Sequence, residues 1–160
     1  RCTMTFGAAS TTEVVFATTL AEHPAVAASL NQANEAAWEV VDPVLLELCR
    51  LRLAQLFGDT AEFAVRTPAA VAAGLDESTI RELRGWPRSP KFGPRERACL
   101  AFCEQFFIDV ASVTTTETEA IRAELGEQGL ADFVSALLVI EQRLRLRLAW
   151  GQLFGDEGVS

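Results

Sequence analysis

The residues of this chain that could carry chemistry are concentrated between Glu47 and Arg66, in the stretch ELCRLRLAQLFGDTAEFAVR. Three of them are the acids Glu47, Asp59 and Glu62, and we expect these side chains to lie near one cavity. Carboxylates crowded in a desolvated pocket push at least one pKa upward, which yields an acid/base group that works near neutral pH. Arg66 follows Glu62 by one helical turn, and its planar guanidinium suits bidentate binding of a substrate carboxylate. The stretch therefore predicts acid/base chemistry on a small anionic molecule.

The same residues also have a purely structural interpretation. Residues 59–62 read Asp-Thr-Ala-Glu, the pattern of a helix N-terminus in which Asp accepts hydrogen bonds from first-turn amides and Glu reaches back. Arg66 can then pair with Glu62 across one turn instead of binding a substrate. From the sequence, both interpretations stay open.

Two predicted helices position these residues. Asp42-Pro43 is typical of a helix start, with Asp as the N-cap and Pro at the first helical position. Apolar residues then recur with a period close to 3.6 until Gly58, which ends the helix. Asp59 begins the next helix, and Pro68 lies about ten residues into it, where a missing backbone donor kinks or ends a helix.

The rest of the chain also has helical patterns. We predict helix starts at Pro24, Asp76, Pro94 and a capping box of Thr116 with Glu119, followed by a last helix from Leu130 to about Phe154. The alternation of Arg and Leu over residues 143–148 suggests a strand, but an isolated strand of that length has no partner. We therefore predict an all-α bundle of about six to seven helices. An arm at 1–22 and a tail at 156–160 flank a single domain over 23–155.

Composition and charge exclude several classes of protein. The chain has 160 residues, 49% of them hydrophobic, and a net charge of −8. Such a charge argues against nucleic-acid and anionic-membrane partners. We find no apolar run long enough to span a bilayer and no signal-peptide pattern. Four scattered cysteines do not form a disulfide scaffold, so we expect a reduced, cytoplasmic protein.

A set of motifs resembles one known family. The markers are Glu47, Leu48, Leu51, Arg52, Gln55 and Gly58 in an EL-x-x-LR-x-x-Q-x-x-G segment, AAGL at 72–75, Trp86 with its loop, and RERA at 95–98. Over roughly residues 20–150, these features resemble the alkylhydroperoxidase D (AhpD)-like and carboxymuconolactone decarboxylase superfamily. The resemblance implies an all-α fold, and assembly into trimers or hexamers.

The resemblance also implies what chemistry is missing. In the peroxidases of the superfamily, the positions of Asp59 and Glu62 hold the two cysteines of a CxxC redox pair. The assisting histidines match Ala61 and Arg66, so only the glutamate at Glu47 survives. Because carboxylates cannot replace a thiolate nucleophile and its resolving sulfur, we expect no peroxidase cycle at this site. The decarboxylase branch lacks these cysteines, but it has a histidine where Arg66 stands, and a guanidinium is no general base near neutral pH.

Three hypotheses for function remain. The first is a lyase- or isomerase-type enzyme that uses Glu47, Asp59 or Glu62 as acid/base and Arg66 as the anchor of an anionic substrate. The second is a non-catalytic oligomeric relative that serves binding or assembly. The third relocates thiol chemistry to Cys99 and Cys103, which otherwise read as core residues. No further ligands complete a metal site around these cysteines, and we predict no cofactor.

Overall fold

The computed structural model describes residues 11–155, and within that range the chain contains helices and no strand. This confirms the all-α prediction. The α-helices in chain order are α1 (Thr11–Glu22), α2 (Pro24–Val40), α3 (Pro43–Phe57), α4 (Thr60–Ala64), α5 (Pro68–Ala72), α6 (Glu77–Glu82), α7 (Pro94–Asp109) and α8 (Thr115–Phe154). None of these helices is long and apolar enough to cross a membrane. The predicted tail at 156–160, and residues 1–10 of the predicted arm, lie outside the described residues.

The central element is α3, which is buried on nearly all sides between α7, α8 and the short helices that follow it. Its start is confirmed, because the Asp42 carboxylate accepts a hydrogen bond from the Leu45 amide at 3.0 Å and Pro43 occupies the first turn. Its end is also confirmed. Gly58 has a φ of 72°, in the left-handed region that glycine adopts without steric cost. These caps fix where α4 begins.

The sequence predicts that Pro68 kinks or ends the helix after Gly58, and the structure has the break a few residues earlier. Helix α4 stops at Ala64, Val65 and Thr67 are extended, and α5 begins at Pro68. A residue that precedes proline disfavours the helical conformation, so the break falls before Pro68 rather than at it. The Val65 carbonyl and the Thr67 amide of this extended link face side chains of α3.

The longest helix, α8, packs against α1, α2, α3 and α7. Its capping box is formed by Thr114 and Glu117, so the predicted pair of Thr116 and Glu119 was wrong by two residues. Gly126 has φ 74° and ψ 178°, which are not helical, so α8 consists of two helical segments that meet at a kink there. The segment 143–148 is helical, as predicted.

The N-terminal helix α1 lies against α8. Phe16 is only 2% exposed, and its ring centroid is 5.5 Å from that of Trp150 on α8. Burial of an aromatic ring of this kind is a large apolar contribution, so α1 is a docked part of the bundle.

Candidate active site

Glu47, Asp59 and Glu62 form one cluster in the structure, but they do not line one common cavity as expected. Glu47 lies on α3 and is fully buried, and Asp59, the N-cap of α4, is 8% exposed. Glu62 lies in the first turn of α4, and its side chain is 13% exposed. The Asp59 carboxylate accepts a hydrogen bond from the Glu62 amide at 3.0 Å. The Asp59 half of the predicted cap therefore exists, whereas Glu62 does not reach back, because the Asp59 amide donates to the Ala54 carbonyl.

Arg50, which sequence reasoning missed, holds two of these acids together. Its Nε and Nη2 atoms each donate to one Glu47 carboxylate oxygen at 2.8 Å, a bidentate ion pair within one helix. Its Nη1 donates to Glu62 Oε1 at 2.5 Å, and its guanidinium also donates to the carbonyl oxygens of Glu62 and Val65. The extended link after α4 supplies one of these carbonyls, and the Thr67 amide donates to Glu47 Oε1 at 3.1 Å. Arg50 thus ties α3 to α4 and to the link.

Arg147 on α8 completes the cluster from the opposite side. Its Nη2 donates to Asp59 Oδ2, its Nε lies 3.4 Å from Glu62 Oε2, and its Nη1 lies 3.6 Å from Glu13 Oε2 on α1. The residue is 1% exposed. Sequence reasoning did not assign Arg147 to the site. The signal in the sequence was its spacing from Ile140 and Leu144, which places it on the buried face of α8.

The two arginines respond differently to burial. Desolvation alone would lower the pKa of Arg50, but its contacts with Glu47 and Glu62 outweigh this and raise it above the ordinary value. Burial lowers the pKa of Arg147, the Glu13 carboxylate opposes that change, and the charge of Arg50 adds to it. A guanidinium nevertheless stays charged at neutral pH. Two buried cations thus face three acids, in a network that spans α3, α4 and α8.

Arg66 does not join this network. Its Nε donates to Glu77 Oε1 on α6 at 2.8 Å, and its Nη1 donates to the Val65 carbonyl at the same distance. The predicted alternative, a pair with Glu62 across one turn, does not form either. Because α4 ends at Ala64, Arg66 no longer follows the helical spacing that would place it beside Glu62.

A cavity of about 190 Å³ lies beside the network, between α1, α2, α8 and the link after α4. Its polar lining consists of Glu13, Asn34, Arg50, Glu62, Thr67 and Arg143. Its apolar lining consists of Trp38, Val65, Ile140 and Leu144. Of the three predicted acids, Glu62 alone lines it, whereas Asp59 lines a separate cavity of about 520 Å³. Neither cavity is lined by Glu47 or Arg66.

Two polar groups on residues that line this cavity lack an ion-pair or hydrogen-bond partner among the described residues. Arg143 makes no ion pair with any residue between 11 and 155, and its guanidinium carbon lies 5.1 Å from the centre of the Phe16 ring. The Thr67 hydroxyl is buried and has no hydrogen-bond partner within the same range. The Arg143 guanidinium is therefore available to a ligand in the cavity, whereas the Thr67 oxygen has almost no accessible surface there.

Cys49, Cys99 and Cys103 are fully buried in the core. Burial raises the pKa of Cys99 to about 12. The pKa of Cys49 is also raised, chiefly by its interaction with Cys103 and then by burial. Since the thiolate is the reactive form, this environment disfavours thiol chemistry. Across the described residues, no group of three or more His, Cys, Asp or Glu side chains is arranged to hold a metal ion.

Comparison with known proteins agrees with this architecture. The model of the carboxymuconolactone decarboxylase family matches residues 24–105, which extend from the start of α2 into α7. The match includes Glu47, Arg50, Asp59 and Glu62, whereas Glu13, Arg143 and Arg147 lie outside it. No curated protein matches the chain. The family match, which covers half of the chain, and the all-α fold lead to one conclusion: the chain belongs to the carboxymuconolactone decarboxylase family.

Proposed function

We propose that this protein is a small-molecule acid/base enzyme of the lyase or isomerase type, which acts on an anionic substrate and uses Glu62 as its proton carrier. One observation carries the proposal. Glu62 is the only one of the three clustered acids that lines the 190 Å³ cavity, and it shares that cavity with the unpaired cation of Arg143. A carboxylate and a free guanidinium in one small cavity are suited to moving a proton on a bound anion.

The network gives each of the other acids a supporting role in this proposal. Glu47 holds Arg50, and Asp59 holds Arg147, and these arginines lie on either side of the Glu62 carboxylate. Glu62 Oε1 is bonded to Arg50, whereas Oε2 accepts no hydrogen bond from any residue in the described part of the chain. Oε2 is therefore the atom that receives a proton from a substrate carbon next to a carbonyl and returns it to the product. Glu47 and Asp59 act as positioning residues.

Arg143 takes the role that the sequence had suggested for Arg66. The side chain of Arg66 is bonded to Glu77 and does not line the cavity, so it is badly placed to anchor a substrate there. Arg143 does line the cavity, and it forms no ion pair with a carboxylate among the described residues. A substrate carboxylate bound to it would be held in the same space as Glu62.

Hydrogen exchange into candidate substrates tests the proposal directly. Small carboxylates with an acidic C–H bond, including keto acids and carboxylated lactones, are incubated with the protein in D₂O, and deuterium uptake is followed by proton NMR. We expect catalysed exchange by the wild type, its loss in Glu62→Gln, and its retention in Glu119→Gln, a matched change at an exposed glutamate. Equal exchange in the wild type and in Glu62→Gln would show that Glu62 is not the proton carrier.

A non-catalytic assembly module is the second candidate, and one observation favours it. The three acids and two arginines bond to one another and to the backbone, an arrangement that stabilises a fold without any substrate. This candidate predicts a defined homo-oligomer, a trimer or hexamer by family resemblance, which analytical ultracentrifugation measures. An oligomer without exchange activity on the whole panel would favour it over the enzyme.

A further inference from the structure

The cavity beside Glu62 restricts the ligand by size. At about 190 Å³, it is somewhat larger than a cavity of about 150 Å³ that holds one benzene molecule. A single five- or six-membered ring with one small substituent fills such a space, and a fused ring system does not. The substrate is therefore a compact molecule.

The apolar walls favour a flat ring. Trp38 is half-buried in the lining, and Ile140 and Leu144 of α8 are buried beside it. An indole face and branched aliphatic side chains bind a planar apolar body through dispersion and offset stacking. The polar groups of the lining then contact the edge of that ring, where a substituent is attached.

The charges of the lining limit the ligand to one negative charge. The lining contains two acids, Glu13 and Glu62, and two arginines, Arg50 and Arg143. Arg50 already donates from Nε and from both terminal nitrogens to Glu47, Glu62 and Val65. Arg143 is thus the cation left for a ligand, and a second carboxylate on the ligand would meet an acid instead of an arginine.

We propose that the cavity binds a small planar-ring monocarboxylate, with its carboxylate on Arg143 and its ring against Trp38. This inference rests on the proposed function for the site, and it adds the class of molecule that the site accepts. A dicarboxylate does not fit this cavity, since only one arginine of the lining is not already bonded to an acid.

Equilibrium dialysis with the full chain and four commercial probes tests this inference. Benzoate is the fitting probe, benzamide removes its charge, isophthalate adds a second carboxylate, and 2-naphthoate adds a second ring. We expect saturable binding of benzoate at millimolar concentrations or below. Benzamide should bind weaker by about tenfold or more, because it loses the charge-assisted hydrogen bonds to Arg143. Isophthalate should also bind weaker because its second carboxylate meets an acid, and 2-naphthoate because its second ring exceeds the cavity of about 190 Å³. Isophthalate or naphthoate binding as tightly as benzoate, or no saturable benzoate binding, would overturn the inference.

Variants identify the cation and separate this inference from the proposed function. Arg143→Gln should weaken benzoate binding by about tenfold or more and leave benzamide binding unchanged, whereas Arg88→Gln, at an exposed loop arginine, should change neither. If Arg143→Gln does not fold, the comparison of the four probes on the wild type still tests the proposed class of ligand. Glu62→Gln should abolish exchange and retain benzoate binding. Binding that depends on Arg143 without exchange contradicts only the proposed function, while exchange without benzoate binding contradicts only the ligand class.

Discussion

The ion pair of Arg50 with Glu47 allows a sharp prediction about stability. Glu47 is fully buried, and Arg50 is 5% exposed. Arg50→Met keeps much of the side-chain volume but removes both hydrogen bonds to the Glu47 carboxylate and the contact with Glu62. Among the described residues, only the Thr67 amide then still bonds to Glu47. The variant therefore leaves a buried carboxylate without its cation.

The expected loss is large. Removal of one partner from a buried ion pair costs about 3–5 kcal/mol, against a total stability of about 5–15 kcal/mol for an ordinary domain. For a chain of this length, this corresponds to a fall in Tm of roughly 6–20 °C. The matched control is Arg122→Met, which breaks an exposed pair with Glu127 and should cost about 0–1 kcal/mol.

Urea unfolding, monitored by circular dichroism at one protein concentration, measures both variants. The double variant Glu47→Gln with Arg50→Met supplies the decisive comparison, because it removes the buried charge while the Gln oxygen still accepts from the Thr67 amide. We expect the double variant to be more stable than Arg50→Met alone. If Arg50→Met and Arg122→Met lose the same stability, or if the double variant is the least stable of all, the network does not hold the fold in the way described.

Three further predictions concern other parts of the molecule. Phe16→Ala should cost about 3–5 kcal/mol in urea unfolding, because the ring is buried against α8, and a cost below about 1 kcal/mol would mean that α1 is not docked. Cys99 and Cys103 should resist alkylation at pH 8 in the native protein and react fully after unfolding, since burial raises the pKa of Cys99 to about 12; hydroperoxide reduction that is lost in Cys99→Ser would contradict this. The Ser78 hydroxyl and a first-turn amide lower the pKa of Asp76 to about 2, so its contribution to stability is present above the unfolded value of about 3.9 and is lost as the pH falls toward 2. Thermal unfolding should accordingly show a gap between wild type and Asp76→Ala that narrows from about pH 4 to pH 2, and a gap independent of pH would contradict the assignment.

The helices themselves could be predicted wherever the signal is local. Asp42-Pro43 and Gly58 delimited α3 correctly, since a cap depends on the chemistry of residues within one turn. The break before Pro68 was misplaced for a similarly local reason. The residue that precedes a proline leaves the helix first, and our prediction considered only the proline.

The meeting of the three acids could also be predicted, because they flank one helix–glycine–helix turn. The arginines that neutralise these acids could not be predicted. Arg50 was passed over because a charged residue within an apolar helix usually reaches solvent, and only the packing of α4 and its link shows that it turns inward. Arg66 shows the converse case, since helical spacing placed it beside Glu62 and the early end of α4 moved it to Glu77.

The sequence alone contained the motifs that resemble the family. It also determined the all-α class and the caps that frame the site, because periodicity and capping act over a few neighbouring residues. The tertiary structure decided the chemistry around Glu62. Asp59 and Arg147 are separated by 88 positions, and only the docking of α8 brings them into contact. The same docking places Arg143 in the cavity, where it forms no ion pair with a described residue. Charge pairing across such distances depends on which helix faces pack together, and no local pattern encodes that choice.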